Sequence, residues 1–160
     1  MIERVNGDVL AVEKGIIVHG CNCLGVMGSG IALSVKNRYP KAYEVYKAQE
    51  KADGLKLGRV SYVEVEDDKF IVNGLTQRVF APHQPDYPNG RYTSYDAVDD
   101  VFHKVKALAV HLKTHRPDSE IPVLFPLIGA VRGGGKWEVI EKIIDEAIPD
   151  TIRKVLYIFP

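Results

Sequence analysis

The sequence alternates short apolar runs with longer amphipathic segments, and this alternation is the feature that most constrains its fold. The β-branched run GIIVHGCN at 15–22 predicts a buried strand, and IPVLFPLIG at 121–129 and RKVLYIF at 153–159 predict two more. The clearest helix carries an unbroken apolar stripe at Val98, Val101, Phe102, Val105, Leu108, Ala109 and Leu112. Strands that alternate with helices predict an α/β sandwich with helices on both faces of one sheet.

The same patterns predict the remaining elements and one long loop. They are a strand at IERV (2–5), a helix through Ile31, Val35 and Tyr39 up to Pro40, a helix at KAYEVYKAQEKADG (41–54), a hairpin of RVSYVEVE (59–66) and KFIVNGLT (69–76), and a helix at KWEVIEKIIDEAI (136–148). Residues 81–93 contain three prolines and one glycine, so we expect a loop there. Its length is typical of loops at binding sites.

Composition and charge limit the classes of function. The 160 residues suit one domain over 1–160. Basic and acidic residues balance at 21 each, so we expect neither non-specific nucleic-acid binding nor attraction to a membrane surface. No apolar run approaches the roughly 20 residues of a membrane span, and MIERVNGDVL lacks a signal-peptide core. Cys21 and Cys23 are too close for an unstrained disulfide, which favours a reduced, cytoplasmic protein.

A glycine-rich stretch, HGCNCLGVMGSGIAL at 19–33, leads from the buried strand into a helix. Its glycines let backbone N–H groups approach a ligand, and the helix N-terminus adds unpaired donors and a partial positive charge. This combination indicates a phosphate or diphosphate site, although the glycines could instead only shape a tight turn.

A second glycine cluster, LIGAVRGGG at 127–135, follows another predicted strand. Two such loops at strand ends can hold one diphosphate from both sides, or the second can be a flexible connector. Asp8 in NGDV could accept a hydrogen bond from an exocyclic amine such as that of adenine, or it could simply form a turn beside Gly7.

Several common sites fit this sequence badly. The dinucleotide fingerprint requires its glycines directly after the strand, and a P-loop requires Gly-Lys-Ser/Thr, whereas here the sequence reads GGGKW. His19, Cys21 and Cys23 alternate along a strand about 7 Å apart, which is too far for three ligands of one zinc ion. We therefore expect no metal, and no pattern supplies a base that would make Cys21 a nucleophile.

Taken in order, the segments NGDV, VHGCNCLGVMGSGIALSVKNRYPKAYEVY, FPLIGAVRGGGKWE and VLYIF resemble the macrodomain family of ADP-ribose binders over nearly the whole chain. CNCLGVMGSGIA followed by RYPKAYEVY resembles the branch that contains ADP-ribose 1″-phosphate phosphatases and terminal ADP-ribose glycohydrolases. The resemblance implies a three-layer α/β/α sandwich with a mixed central sheet. It also implies ADP-ribose or a derivative as the partner, with no cofactor.

The resemblance also implies roles for individual residues. Asp8 and Val9 would bind the adenine, with Tyr157 or Phe159 beside it, and Thr76 would lie beneath the distal end. The residues implied at the diphosphate and distal ribose are His19, Gly20, Cys21, Asn22, Gly28, Gly30, Ile31, Ala32, Leu33, Ser34, Ile128, Gly129, Ala130, Val131, Arg132 and Gly133.

Two departures from the family pattern bear on activity. The glycohydrolase branch carries a lysine after the threonine of LTQR, where this chain has Gln77, and an amide cannot form a Schiff base with an opened sugar. Many members also carry an aspartate in the second glycine-rich loop, where this chain has no carboxylate before Glu138. Both departures disfavour a lysine-dependent glycohydrolase.

The leading hypothesis is a phosphatase acting on ADP-ribose 1″-phosphate, with His19 and Asn22 as the catalytic residues. The alternatives are a reader of ADP-ribose without chemistry and a hydrolase that removes ADP-ribose from protein or DNA with a ligand-bound water. A nicotinamide-dependent oxidoreductase would instead predict a fully parallel sheet. His83, Asp86 and Arg91 are secondary candidates for shaping the distal end.

Overall fold

One six-stranded sheet forms the centre of the computed structural model, which describes residues 1–160. Its strands are β1 (Glu3–Asn6), β2 (Gly15–Asn22), β3 (Val60–Glu66), β4 (Lys69–Gln77), β5 (Val123–Phe125) and β6 (Lys154–Ile158). They lie in the order β1-β6-β5-β2-β4-β3, and every neighbouring pair is parallel except the β3–β4 hairpin. The mixed sheet is confirmed, and it differs from the fully parallel sheet that a nicotinamide-dependent oxidoreductase predicts.

Four helices cover the two faces of the sheet: α1 (Gly30–Arg38), α2 (Pro40–Ala52), α3 (Tyr95–His115) and α4 (Trp137–Ala147). The apolar faces of α3 and α4 pack on one side within a cluster of 20 buried residues, and α1 and α2 cover the other side. Pro40 separates α1 from α2, because proline lacks the N–H that α1 would need and suits the first turn of a new helix. None of the helices is long and apolar enough to cross a lipid bilayer.

The predicted helices and the hairpin are confirmed. The main differences from the prediction are the length of one strand and two short additional segments. Strand β5 covers only Val123–Phe125 of the predicted 121–129, because Pro122 and Pro126 flank it and cannot donate to a strand ladder. Two short 3₁₀ segments, Val9–Ala11 and Pro88–Gly90, were not predicted.

Five mutually parallel strands end at the same edge of the sheet, which we call the C-terminal edge. Strands β1, β6, β5, β2 and β4 finish there, so the connections 7–14, 23–29, 78–94 and 126–136 all leave from it. Both glycine-rich segments therefore lie at one edge. This is the edge at which open α/β sheets usually bind ligands.

Helix α3 approaches β4 closely at Gly74, which is buried in the sheet. A Cβ placed on Gly74 would lie 2.6 Å from Cγ1 of Val101 and 3.1 Å from its Cγ2. Only a glycine fits there without moving α3. The contact sets the distance between the long helix and the strand that carries Thr76 and Gln77.

Replacing Gly74 with alanine should destabilise the protein by about 1–3 kcal/mol, because the added methyl overpacks against Val101. The same substitution in a Val101→Ala background should cost much less, since the clashing methyls are gone. Urea unfolding of the two single variants and the double variant measures this coupling. Strict additivity of the two effects would contradict the packing described here.

Candidate functional site

The first glycine loop (residues 23–29) and the second glycine loop (residues 127–136) meet at the C-terminal edge. Gly30, which begins α1, has a φ of +57°, a conformation that favours glycine, and a Cβ there would lie 3.3 Å from Nε of Arg132 in the second loop. The two loops therefore lie side by side, as binding of one diphosphate by both would require.

The N-terminus of α1 presents free backbone donors between these loops. Its first-turn N–H groups have no acceptor within the helix, and the side chain of the N-cap residue, Ser29, does not cap them. The first turn carries no acidic residue. The helix dipole, these donors and the Arg132 guanidinium together favour an anion at this point.

Asn22 holds the first glycine loop in shape. Its Oδ1 accepts from the backbone N–H groups of Leu24 (3.0 Å) and Val26 (3.3 Å) and from the hydroxyl of Tyr46 (3.0 Å). Its Nδ2 donates to the carbonyl of Val26 at 2.8 Å. Most hydrogen-bonding groups of the Asn22 side chain are therefore bonded to the loop or to Tyr46 of α2, which leaves one amide hydrogen for a ligand.

His19 is fully buried beneath α2, which does not favour the predicted action of its side chain on the substrate. Its ring is 0% exposed, and Nε2 lies 2.6 Å from Oδ1 of Asn73, whose own Nδ2 donates to the carbonyl of Ala42. Burial lowers the pKa of His19 to about 4, partly opposed by the Asn73 hydrogen bond. The lowered pKa favours a neutral imidazole at physiological pH, and the ring packs within the core, so a catalytic role for His19 stays a prediction that its burial does not support.

The two cysteines share this environment, and neither has the character of a nucleophile. Cys21 is buried against the His19 ring, at 3.7 Å from Nε2, and burial raises the pKa of its thiol well above the ordinary range. Burial also raises the pKa of the half-buried Cys23, although Arg78 opposes the shift. The Cys21 side chain thus packs in the core, and its implied place beside the distal ribose stays a prediction.

The glycines of the second loop are required mainly by internal packing. A Cβ on Gly133 would lie 2.1 Å from Oγ1 of Thr93, and one on Gly129 would lie 2.9 Å from Cγ2 of the same side chain. Gly134, with a φ of +71°, would place a Cβ 2.7 Å from the carbonyl oxygen of Gly90. The loop is therefore packed against residues 90–93 and is not the flexible connector considered above.

Gly20 and Thr76 lie together beneath the second loop. A Cβ on Gly20 would lie 2.7 Å from Oγ1 of Thr76 and 3.3 Å from Cγ1 of Ile128, which explains the glycine at that position. The Thr76 hydroxyl is buried and has no hydrogen-bond partner. The next residue, Gln77, donates from Nε2 to the carbonyl of Val79 at 2.9 Å, so its side-chain amide is bonded to backbone two residues further on.

At the opposite end of the edge, Asp8 begins a short 3₁₀ segment. Its Oδ1 accepts from the N–H of Leu10 at 2.9 Å, and its Oδ2 accepts from Nη1 of Arg38 at 3.2 Å. Both groups of the Arg38–Asp8 pair are partly exposed, so an incoming amine can compete for Oδ2. The side chain of Val9 is buried in the core, which leaves only its backbone for a ligand.

Exposed apolar side chains are concentrated around these loops. Five of the eleven large hydrophobic residues that are exposed lie at the C-terminal edge, namely Leu24, Val26, Leu33, Val131 and Phe159. Val131 and Phe159 are each 74% exposed, and Ala32, Ile31 and Tyr157 are half-buried nearby in sequence. Flat apolar surface beside anion-binding backbone suits a ligand that has both rings and phosphates.

The loop 81–93 is more ordered than its prolines predict, and its charged side chains are engaged. Asp86 forms a bidentate pair with Arg78, at 2.7 and 2.9 Å, and His83 Nδ1 lies 2.9 Å from the carbonyl of Phe80. Arg91 lies between the rings of Tyr87 and Tyr95, at 4.2 and 4.1 Å from their centroids. Each of the three secondary candidates therefore already has a partner within the protein.

Thr93 is the residue that sequence analysis missed. It lies at the end of the proline-rich loop, is 0% exposed, and contacts both ends of the second glycine loop. The signal available in the sequence was the Thr-Ser pair directly before the longest helix, which predicts an N-cap but not a contact with a distant loop.

A cavity of about 390 Å³ lies at the other edge of the sheet, between the segments that enter β5 and β6. Its lining combines Lys113 and Arg153 with Asp118 and Glu120. It lies at the edge of the sheet opposite the glycine loops, and Arg153 is already paired with Glu3. We therefore place the candidate site at the glycine loops.

Comparison with known proteins identifies relatives over the full chain. No protein-family model matches the sequence. It is 31% identical over 148 residues to an uncharacterised 17.5 kDa protein from the tk-vs intergenic region of Enterobacteria phage T4, covering 91% of this chain and 88% of that protein. It is 28% identical over 164 residues to the DNA ADP-ribosyl glycohydrolase of Mycobacterium tuberculosis. That match covers 98% of this chain but only 42% of the glycohydrolase.

The chain is also similar to a short segment of a phosphatase and to two solved structures. The ADP-ribose 1″-phosphate phosphatase of Aspergillus oryzae is 41% identical over 46 residues, which is 28% of this chain and 23% of that protein. The macrodomain protein from Streptomyces coelicolor superposes with a TM-score of 0.78 at 28% identity, covering 98% of both chains. The macrodomain of Mycobacterium tuberculosis DarG gives 0.77 at 26% identity, covering 100% of this chain and 97% of that one.

The burial of His19 predicts a specific pH dependence of stability. Because its pKa is about 4 in the folded protein and 6.5 for the free side chain, the unfolded chain binds more protons between these values, and stability falls as the pH drops from 6.5 to 4. The contribution is at most about 3 kcal/mol. His19→Gln should lose this part of the decline in urea unfolding at several pH values, with His103→Gln on the exposed side of α3 as the control. Equal pH slopes for His19→Gln and the wild type would contradict the assignment.

Proposed function

The chain belongs to the macrodomain family, and we propose that it binds ADP-ribose along the C-terminal edge of its sheet. The observation that carries this proposal is the contact between Gly30 and Arg132, which sets the N-terminus of α1 and the second glycine loop around one point. Two linked phosphates at that point would meet backbone donors from the helix and a guanidinium from the loop.

The adenosine half of ADP-ribose fits the Asp8 end of the edge. Oδ2 of Asp8 can accept from the exocyclic amine of adenine in place of Arg38, and the backbone around Val9 can complete recognition of the base. Phe159 is exposed and lies in the segment that follows β6, where its ring can pack on the base. This orientation directs the distal ribose towards Asn22, Gln77 and the second loop.

For the chemistry, we propose hydrolysis at C1″ of the distal ribose by a water molecule that the bound ligand positions. In this step the water oxygen bonds to C1″, the leaving group takes the bonding electron pair, and a proton passes from the water to the leaving group. No lysine stands at position 77, His19 is buried, and Asn22 offers a single free N–H. The chain thus supplies orientation and anion binding rather than a strong acid, base or nucleophile.

DNA-linked ADP-ribose is the first candidate substrate, because the DNA ADP-ribosyl glycohydrolase of Mycobacterium tuberculosis matches nearly the whole chain. ADP-ribose 1″-phosphate is the second, supported by the shorter match to the Aspergillus oryzae phosphatase. Burial of His19 removes the residue that would have acted on the phosphate, which weakens this candidate. A protein that only binds ADP-ribose, without catalysis, would also need no reactive side chains, so the site is compatible with that function as well.

One panel of assays separates these functions. Calorimetry with ADP-ribose tests binding, and three release assays test hydrolysis of ADP-ribosylated DNA, ADP-ribosylated protein and ADP-ribose 1″-phosphate. Release from DNA alone would select the glycohydrolase, release of phosphate would select the phosphatase, and binding without release would select the reader. Absence of binding at millimolar ADP-ribose would refute the proposal.

Arg132→Gln should weaken ADP-ribose binding by about tenfold, because a hydrogen bond to a charged phosphate is lost, and high salt should reduce the difference between variant and wild type. Lys113→Gln, which removes an exposed charge at the opposite edge of the sheet, is the matched control and should bind like the wild type. Isothermal titration calorimetry at two salt concentrations measures both. Equal affinities for Arg132→Gln and Lys113→Gln would remove Arg132 from the site.

A further inference from the structure

We infer that residues 91–95 form a strut that fixes the second glycine loop, and that Thr93 is a positioning residue for the distal half of the ligand. The inference rests on the proposed binding of ADP-ribose. Thr93 itself is 0% exposed, so it cannot touch a ligand and must act through the loop it contacts.

The contacts between the strut and the loop are numerous and polar. Oγ1 of Thr93 donates to the carbonyl of Gly129 at 2.9 Å, and the backbone N–H groups of Tyr92 and Thr93 donate to the carbonyl of Gly133 at 2.8 and 3.1 Å. One side chain and two backbone amides thus hold both ends of the turn that carries Val131 and Arg132. The carbonyl of Gly129 also accepts from the N–H of Gly135 at 2.9 Å, which closes the turn on itself.

The strut is anchored on its other side to the sheet and to α3. Thr93 forms a β-bridge with Gln77 at the end of β4, and the N–H of Ser94 donates to the carbonyl of Thr76 at 2.8 Å. The Ser94 hydroxyl accepts from the N–H of Ala97 at 3.1 Å and caps α3. The longest helix and a central strand therefore both limit the movement of Thr93.

Arg91 and Tyr95 extend the same support to the far end of the loop. The Arg91 guanidinium is held between the rings of Tyr87 and Tyr95 and donates from Nη1 to the carbonyl of Thr93 at 2.6 Å. The hydroxyl of Tyr95 accepts from the N–H of Lys136 at 3.0 Å, directly before α4. The hydrogen bonds from Tyr92, Thr93 and Tyr95 to the loop all use backbone groups of the loop, and Arg91 in turn supports Thr93 and Tyr95.

This arrangement predicts that the strut affects binding of the distal half of the ligand and not binding of its adenosine half. The adenosine end lies at Asp8, across the edge from the strut, whereas the second phosphate and the distal ribose depend on the loop that Thr93 holds. Thr93→Val keeps the shape of the side chain and removes only the hydroxyl. Thr93→Ser keeps the hydroxyl and is the matched control.

The test measures hydrogen exchange of the second glycine loop and the affinities for ADP-ribose and AMP in both variants. Thr93→Val should exchange faster at residues 129–135, and should bind ADP-ribose roughly tenfold more weakly while AMP binding is unchanged, whereas Thr93→Ser should resemble the wild type. Unchanged exchange and affinity in Thr93→Val, or an equal loss for AMP and ADP-ribose, would overturn the inference.

Two further results separate a failure of this inference from a failure of the proposed function. If the wild type fails to bind ADP-ribose, the proposed function fails, and exchange in the loop still decides whether Thr93 positions it. If Thr93→Val does not fold, Tyr95→Phe removes the hydroxyl that holds the N–H of Lys136 and should produce the same selective loss of ADP-ribose affinity. Wild-type affinity and exchange in Tyr95→Phe would then overturn the inference.

Discussion

The site depends on backbone groups of two loops being held in place before any ligand arrives. A binding surface made of N–H groups and glycines has few side chains of its own to order it, and ordering such backbone costs about 1–2 kcal/mol per residue. The protein meets this requirement with polar side chains, one at the end of a strand and one in the segment that precedes α3. Asn22 organises the first glycine loop, and Thr93 organises the second. Both side chains make their hydrogen bonds inside the protein, so the loops are ordered without the ligand.

The fold could be predicted from the sequence, because it follows from local patterns, and the same patterns indicate where the proposed site lies. Apolar periodicity located the helices, and Asp67-Asp68 between two β-branched runs located the hairpin. The GSG sequence before an apolar helix located the N-terminus of α1. Once five strands run parallel, both glycine loops must lie at one edge, although the proximity of Gly30 to Arg132 depends on the course of the loops themselves.

The roles of individual side chains could not be predicted, because they depend on contacts between distant segments. His19 lies in a strand, and the sequence does not reveal that Asn73 on the neighbouring strand bonds to its ring. Glycines 133 to 135 suggested a phosphate cradle, yet two of them are explained by Thr93 and Gly90, which come some 40 residues earlier. A glycine that permits a ligand to approach and one that permits packing are identical in sequence.

The structure also bears on how the proposed hydrolysis would proceed. Burial encloses His19 and lowers its pKa to about 4, so its imidazole is poorly placed to transfer a proton in the proposed hydrolysis. The proposed hydrolysis would rely instead on orientation of the sugar and on stabilisation of charge by the donors around the ligand's phosphates. The neutral overall charge agrees with this, because the ligand is then selected by local donors rather than by a broad field. Precise placement of the second loop by Thr93 therefore matters more here than it would in a site with its own general base.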